Sequence, residues 1–414
     1  MEAKLRKATL GEIADFTNGG AWNQTEYSKE GVPVVRVSDI RDETVNLSDC
    51  KFLPSTSLAK YERHQLAEGD LVICTVGSHP TQPGSVVGRT AIIPTHADGA
   101  LLNQNVVRIR ASKPDVDQRW LGYLGRSRKF HNYIISCARG SANQVRMAIG
   151  LLKEMPVEVP PLSVQRQIAG ILSAYDELIE NNQRRIRILE EMVRALYREW
   201  FVEFRFPGHR KVKIVPSDIG PIPQGWEVKK LGDLVTYNRR ATKPGDHLNE
   251  RRYVPIDCLP SKSLALLEAK PIEEAQSSLQ LFEQGDILFG AMRPYFHKVV
   301  IAPFDGVTRT TCFVFKPARL EWSAFATMTA FEESTVAYAN AHSQGATIPY
   351  AVWDGALSKM PLVLPPHDLL QRFEKVVAPM LTRLSQSFFT LTNLRRTRDL
   401  LLTRLLSGHV PFNI

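Results

Sequence analysis

Two stretches of this chain repeat apolar residues every seven positions. In the first, Leu172, Ile179, Ile186, Val193 and Trp200 fall on one row and Ile168, Tyr175, Asn182, Leu189 and Leu196 on another. In the second, Val377, Leu384, Leu391, Arg398 and Leu405 form one row and Phe373, Met380, Ser387, Leu394 and Leu401 the other. Two such rows are the core positions of helices that pack along a seam. Each stretch predicts a helix of about forty residues, or ~60 Å at ~1.5 Å per residue. Pro160-Pro161 and Pro365-Pro366 forbid helix upstream, and Ser163 and Asp368 are the expected N-caps. Asn182 and Ser387 occupy the same register position, where a polar residue costs stability but fixes register. Two long helices in one chain pack most simply against each other. If the halves are related by an approximate twofold, the helices run antiparallel as a coiled coil with the globular parts at opposite ends.

Outside the helices the pattern shortens to strands between Gly, Pro, Ser and Asn loops. Val32–Val37, Asp70–Cys74 and Val106–Ile109 are the clearest in the first half, and Tyr253–Ile256, Asp286–Phe289 and Cys312–Phe315 in the second. This predicts α/β globular parts, and they are written twice. Leu10-Gly11-Glu12-Ile13 matches Leu231-Gly232-Asp233-Leu234, Gly69-Asp70 matches Gly285-Asp286, and Met155-Pro156 through Pro160-Pro161 matches Met360-Pro361 through Pro365-Pro366. The offset falls from 221 at Leu10 and Leu231 to 216 at Gly69 and Gly285, and to 205 at Met155 and Met360. Order is kept and register is lost only in loops, which is the mark of an internal duplication. The predicted architecture has one globular half over residues 1–160, a spacer helix over 161–204, a Pro/Gly-rich linker over 205–225, the second half over 226–365, and the second helix over 366–408.

At 414 residues and 43% hydrophobic content the chain can bury two cores. No apolar run approaches the ~20 residues that span a bilayer, so a cytosolic protein is expected. The five cysteines show no CxxC pair and no zinc spacing. A net charge of +9 points towards a polyanionic partner, because neutralising phosphates releases counterions.

Candidate chemistry lies in the loops, where the halves diverge most. After the Gly-Asp strand the first half carries His79, Gln82, Ser85 and Arg89, and the second carries Arg293, Tyr295, His297 and Lys298. A second loop pair before the Met-Pro element offers Ser141, Asn143 and Gln144 in one half and Gln344 and Thr347 in the other. Such side chains donate to base edges and phosphates, although a solvated hairpin tip would look the same. No phosphate loop, dinucleotide fingerprint, metalloprotease motif, amino-methyltransferase motif or nuclease carboxylate cluster occurs. No catalysis, cofactor or metal is expected of this chain.

With these landmarks in order, the chain resembles the specificity subunit of type I restriction-modification enzymes along almost its whole length. The pieces that carry the resemblance are the run Pro223-Gln224-Gly225-Trp226 through Leu231-Gly232-Asp233, the two Gly-Asp strands, and the Pro-Pro…Gln-Arg elements at Pro160–Arg166 and Pro365–Arg372. The first half lacks the Trp at its start, and the second Gln-Arg stands one residue farther from its prolines. The resemblance implies two target recognition domains, each binding one half of a bipartite, asymmetric double-stranded DNA sequence. It also implies helices that set the unread spacer and dock methyltransferase subunits, with a separate motor and endonuclease subunit. Two other readings fit the residues: a recognition subunit serving an orphan methyltransferase, and a coiled-coil scaffold joining two proteins without DNA.

Overall fold

The computed structural model describes residues 5–41, 43–80, 82, 85–141 and 144–407, with side chains left aside at 138–141 and 144. The chain divides into two compact units, one comprising residues up to 177 with those from 396 onward, the other residues 178–395. Each unit therefore contains one globular half and a portion of both long helices.

The halves share one sheet topology. In unit 1, Ala14–Asn18, Val106–Ala111, Leu71–Cys74 and Thr90–Ile92 form a four-stranded antiparallel sheet in that spatial order. Unit 2 repeats it with Val235–Tyr237, Cys312–Pro317, Ile287–Gly290 and Val299–Ile301. The repeated residues are those that close its turns. Leu10 and Leu231 are fully buried, and their N–H groups donate to Met155 O and Met360 O at 2.9 Å each. Gly69 and Gly285 hold φ of +84° and +89°, which only glycine adopts without strain. The following Asp70 and Asp286 accept from the N–H of Ala67 at 2.7 Å and of Glu283 at 2.8 Å, so each carboxylate seals the turn that starts its strand. Strand Arg6–Thr9 pairs with Pro156–Val159, and Glu227–Lys230 pairs with Pro361–Leu364, which places each Met-Pro element at the foot of its long helix.

The first long helix spans Leu162–Tyr197 and the second His367–Leu406. Both start one residue before the expected caps, because Pro161 O and Pro366 O already accept from Val164 N and Leu369 N at 2.9 and 3.0 Å. Ser163 and Asp368 therefore lie inside the first turn. In each unit an N-terminal portion of one helix meets a C-terminal portion of the other: Asp176 with Arg398 in unit 1, Tyr197 with Phe373 in unit 2. The pairing is antiparallel in both. Of the two seam rows, the one through Leu172, Ile179, Ile186 and Val193, with Val377, Leu384, Leu391 and Leu405, is buried. The row through Asn182 and Ser387 is half-buried apart from Ile168 and Phe373. Asn182 donates to Leu178 O at 2.7 Å and Ser387 to Arg383 O at 2.9 Å. These polar residues are satisfied by their own helices and make no bond across the seam.

Three details depart from the sequence pattern for identifiable reasons. The first helix ends in a π-turn over Arg198–Val202, whose extra residue rotates Phe201 into the core in place of Trp200. Gln165 is buried and bonds to Asp117 N, Asp115 O and Pro160 O, whereas the one-residue insertion in the second copy turns Gln371 to solvent and buries Leu370. Arg398, which interrupts the seam, lies among carboxylates, 3.0 Å from Asp176 and 3.0 Å from Glu43. Arg126 completes this group at 2.7 Å from the other Asp176 oxygen, to which the Tyr123 hydroxyl also donates at 2.8 Å. Burial alone would raise the Asp176 carboxyl, but the two guanidinium groups outweigh it and hold it below its ordinary value.

Candidate nucleic-acid interface

The two candidate loops of each half, far apart in sequence, are joined by backbone hydrogen bonds. In unit 1 the strand Val76–Gly77 pairs with Gln144–Met147, which is itself in a hairpin with Ala138–Ser141. The loop holding His79, Gln82, Ser85 and Arg89 therefore emerges beside the turn holding Ser141 and Gln144. Asn143 lies outside the described residues. In unit 2 Ala351 N donates to Ala291 O at 2.8 Å and Arg293 N to Pro349 O at 2.7 Å, and Met292 bridges Tyr350. The loop of Arg293 and Tyr295 is thus tied to the hairpin of Ser343–Gln344 and Tyr350–Ala351. Within this joined surface the candidates divide into exposed groups and groups that build the loop.

In unit 1 the building groups are Ser85 and Arg89. Ser85 Oγ donates to Ser78 O at 2.7 Å and accepts from Val87 N at 3.2 Å. Arg89 donates to Ile40 O at 3.1 Å and Ser85 O at 3.3 Å. The backbone turns at His79 O, which accepts from Gln82 N at 2.9 Å, and both side chains are half-buried. Arg146, on the strand that pairs with Val76, is exposed. Sequence reasoning passed over it because it stands beyond the polar run, inside what reads as a strand.

In unit 2 the exposed candidates are Tyr295, Gln344 and Thr347. His297 is not among them. It is 5% exposed, its Nε2–H donates to Phe331 O at 2.7 Å, and its ring lies 4.7 Å from the Phe331 ring. Burial lowers its pKa, so it is a neutral anchor and not a group that faces a ligand. Lys298 is also engaged, donating to Ile256 O at 2.9 Å. Arg293 is half-buried, and its enclosed Nε meets no acceptor. Between these residues the segment Pro294–Phe296 forms a single 3-10 turn flanked by two left-handed residues, Arg293 at φ +51° and His297 at φ +50°. A non-glycine residue pays roughly 1–2 kcal/mol for that conformation, which persists only where the surroundings impose it. Here they do: Lys262, itself at φ +57°, donates its N–H to His297 O at 2.8 Å, and Arg194 donates to Lys262 O. The turn presents Phe296 beside Tyr295, a residue that hydrophobicity alone had assigned to no role.

No group of three His, Cys, Asp or Glu side chains among the described residues is arranged to hold a metal, and no described helix is long and apolar enough to cross a membrane. The arrangement offers hydrogen-bond donors, a guanidinium and aromatic faces on rigid strand ends. That is equipment for recognition.

The family model of the type I restriction modification DNA specificity domain matches residues 4–191. The first half of this chain is such a domain. The MjaIX type I restriction enzyme specificity subunit of Methanocaldococcus jannaschii is 24% identical over 387 residues, covering 87% of either chain. The putative MjaX specificity subunit of the same organism is 26% identical over 299 residues, covering 71% of this chain and 68% of the relative. The crystal structure of a type I restriction-modification S subunit from M. genitalium shares the fold with a TM-score of 0.59, 14% identity, and coverage of 98% of this chain and 96% of that one. Residues 4–191 thus match the DNA specificity domain of type I restriction-modification systems, and over most of its length the chain is similar to proteins named as specificity subunits of type I restriction enzymes.

Proposed function

We propose that this subunit reads a bipartite, asymmetric sequence in double-stranded DNA, with recognition domains at residues 1–160 and 226–365 each taking one half-site. The paired helices set the gap between the half-sites and dock the methyltransferase subunits that modify adenine, while a motor and endonuclease subunit joins for cleavage, all within the cytosol. One observation supports this reading: in both units backbone bonds tie the loop after the Gly-Asp strand to the hairpin before the Met-Pro element, and the side chains on that joined surface differ. A shared scaffold with different donors is suited to two different base sequences. The net charge of +9 supplies the phosphate attraction such a reader needs.

The test is to exchange residues 10–150 for those of another family member, co-express the chimaera with its methyltransferase subunits, and sequence the methylated adenines. One half-site is expected to change while the other half-site and the gap stay fixed. If both half-sites move together, the assignment of one half-site to each domain is wrong. In a parallel titration, affinity for random duplex should fall steeply and linearly as log salt rises, whereas a protein-only scaffold would show no such slope.

A further inference from the structure

We propose that Tyr295 and Phe296 form an aromatic wedge that enters between adjacent base pairs in the half-site taken by unit 2, a step that rests on the reading above. The two rings are 50% and 45% exposed and lie 4.7 Å apart, tilted against each other. Large apolar side chains exposed together at a loop tip are the group that architectural proteins insert into the base stack, unstacking one step and bending the duplex. The wedge is held from beneath. Pro294 is buried, the His297 ring is fixed to the Phe331 carbonyl, and Lys262 N bonds to His297 O, so the left-handed residues on either side cannot relax and swing the rings inward. Half-buried Arg293 flanks the turn, and the hairpin to which its N–H is bonded through Pro349 O carries the exposed Gln344 and Thr347, polar groups of the kind that meet base edges and phosphates.

The occupant is DNA and not a protein for a reason internal to the repeat. A partner that docks on the features common to both halves would find its surface in both. The wedge exists in one only: the corresponding first-half loop, Gly77–Arg89, contains no Phe, Tyr or Trp. It stands in the part of the fold where the halves diverge most, which is where their sequence preferences must differ.

The experiment uses the full chain assembled with its co-expressed methyltransferase subunits and a duplex carrying the site mapped by methylation sequencing. 2-Aminopurine is placed at successive positions of each half-site, away from the methylated adenine and its neighbours. A severalfold fluorescence rise is expected at one step of the half-site taken by unit 2 and at none in the other. Phe296→Ala should abolish the rise and weaken specific binding about tenfold, as loss of one inserted side chain implies, while Phe296→Leu, which keeps an apolar wedge, should retain the rise. Unchanged thermal melting of both variants separates this from misfolding. Specific binding with no rise at any position would overturn the wedge and leave half-site reading intact. Loss of the methyltransferase subunits from the Phe296→Ala complex, with DNA binding by the free chain unchanged, would overturn it in favour of protein docking. A wild-type complex that does not distinguish its site from random duplex would overturn both.

Discussion

Unit 1 and unit 2 fold the same sheet, yet each fastens the long helices with different chemistry. In unit 1 an ionic cluster is added to the apolar packing of Ile168, Leu172, Leu402 and Leu405: Asp176 from the first helix and Arg398 from the second meet Arg126 and Glu43 of the globular half. In unit 2 the fastening is aromatic. Phe373 lies 4.8 Å from Phe201, 5.7 Å from Trp200 and 6.3 Å from Tyr197, and Phe325 of the globular half packs on Tyr197 and Phe201 at 5.8 and 4.9 Å. The same contrast marks the candidate interface. The unit 1 loop is held by hydroxyl and guanidinium bonds to backbone, and the unit 2 loop by a buried imidazole under exposed rings. Duplication preserved the backbone framework, and divergence replaced the side chains that lock it, since any lock that fixes the same geometry serves the fold equally well.

Substitutions can separate the two fastenings. The largest effect is expected from Phe373→Ala, which opens a cavity beneath three rings and should cost about 4 kcal/mol, read as a fall in the denaturant midpoint of unit 2. Arg398→Met should cost about 1–2 kcal/mol in unit 1, because it takes one cationic partner from the half-exposed Asp176 and Glu43 while Arg126 stays beside them. Hydrogen exchange resolved by peptide would show each loss confined to its own unit; equal loosening of both units by either change would erase the contrast.

A smaller effect should appear with pH. His297 faces Phe331 O, with Arg194 and Lys262 opposing its protonation and Glu333 favouring it, and burial sets the lowered folded pKa. Below its ordinary value of 6.5 the unfolded chain takes up a proton that the folded chain refuses. The stability this residue contributes at neutral pH is therefore lost as pH falls from 6.5 through the folded value. Exchange at the 293–298 turn should quicken over that window in unit 2. A His297→Leu variant should lose the pH dependence.

The sequence by itself determined the repeat, the two helices and the turns that close the shared sheet. Those features rest on local rules: an apolar period fixes a helix face, a proline pair fixes where the helix can start, and Gly69 and Gly285 fix turns that need positive φ. The loops of the candidate interface were legible as segments, because runs of polar residues stand between the strands. Which side chains face outward was decided only by tertiary structure. His297 and Lys298 stand side by side with Tyr295 in the chain, yet the first two turn towards Phe331 and Ile256, contacts 34 and 42 residues away in sequence. Arg398 is the one charged residue in its heptad row, and its partner Asp176 lies 222 residues earlier in the chain. A side chain's role depends on which distant partner satisfies it, and pairwise satisfaction across the fold leaves no periodic trace in the sequence.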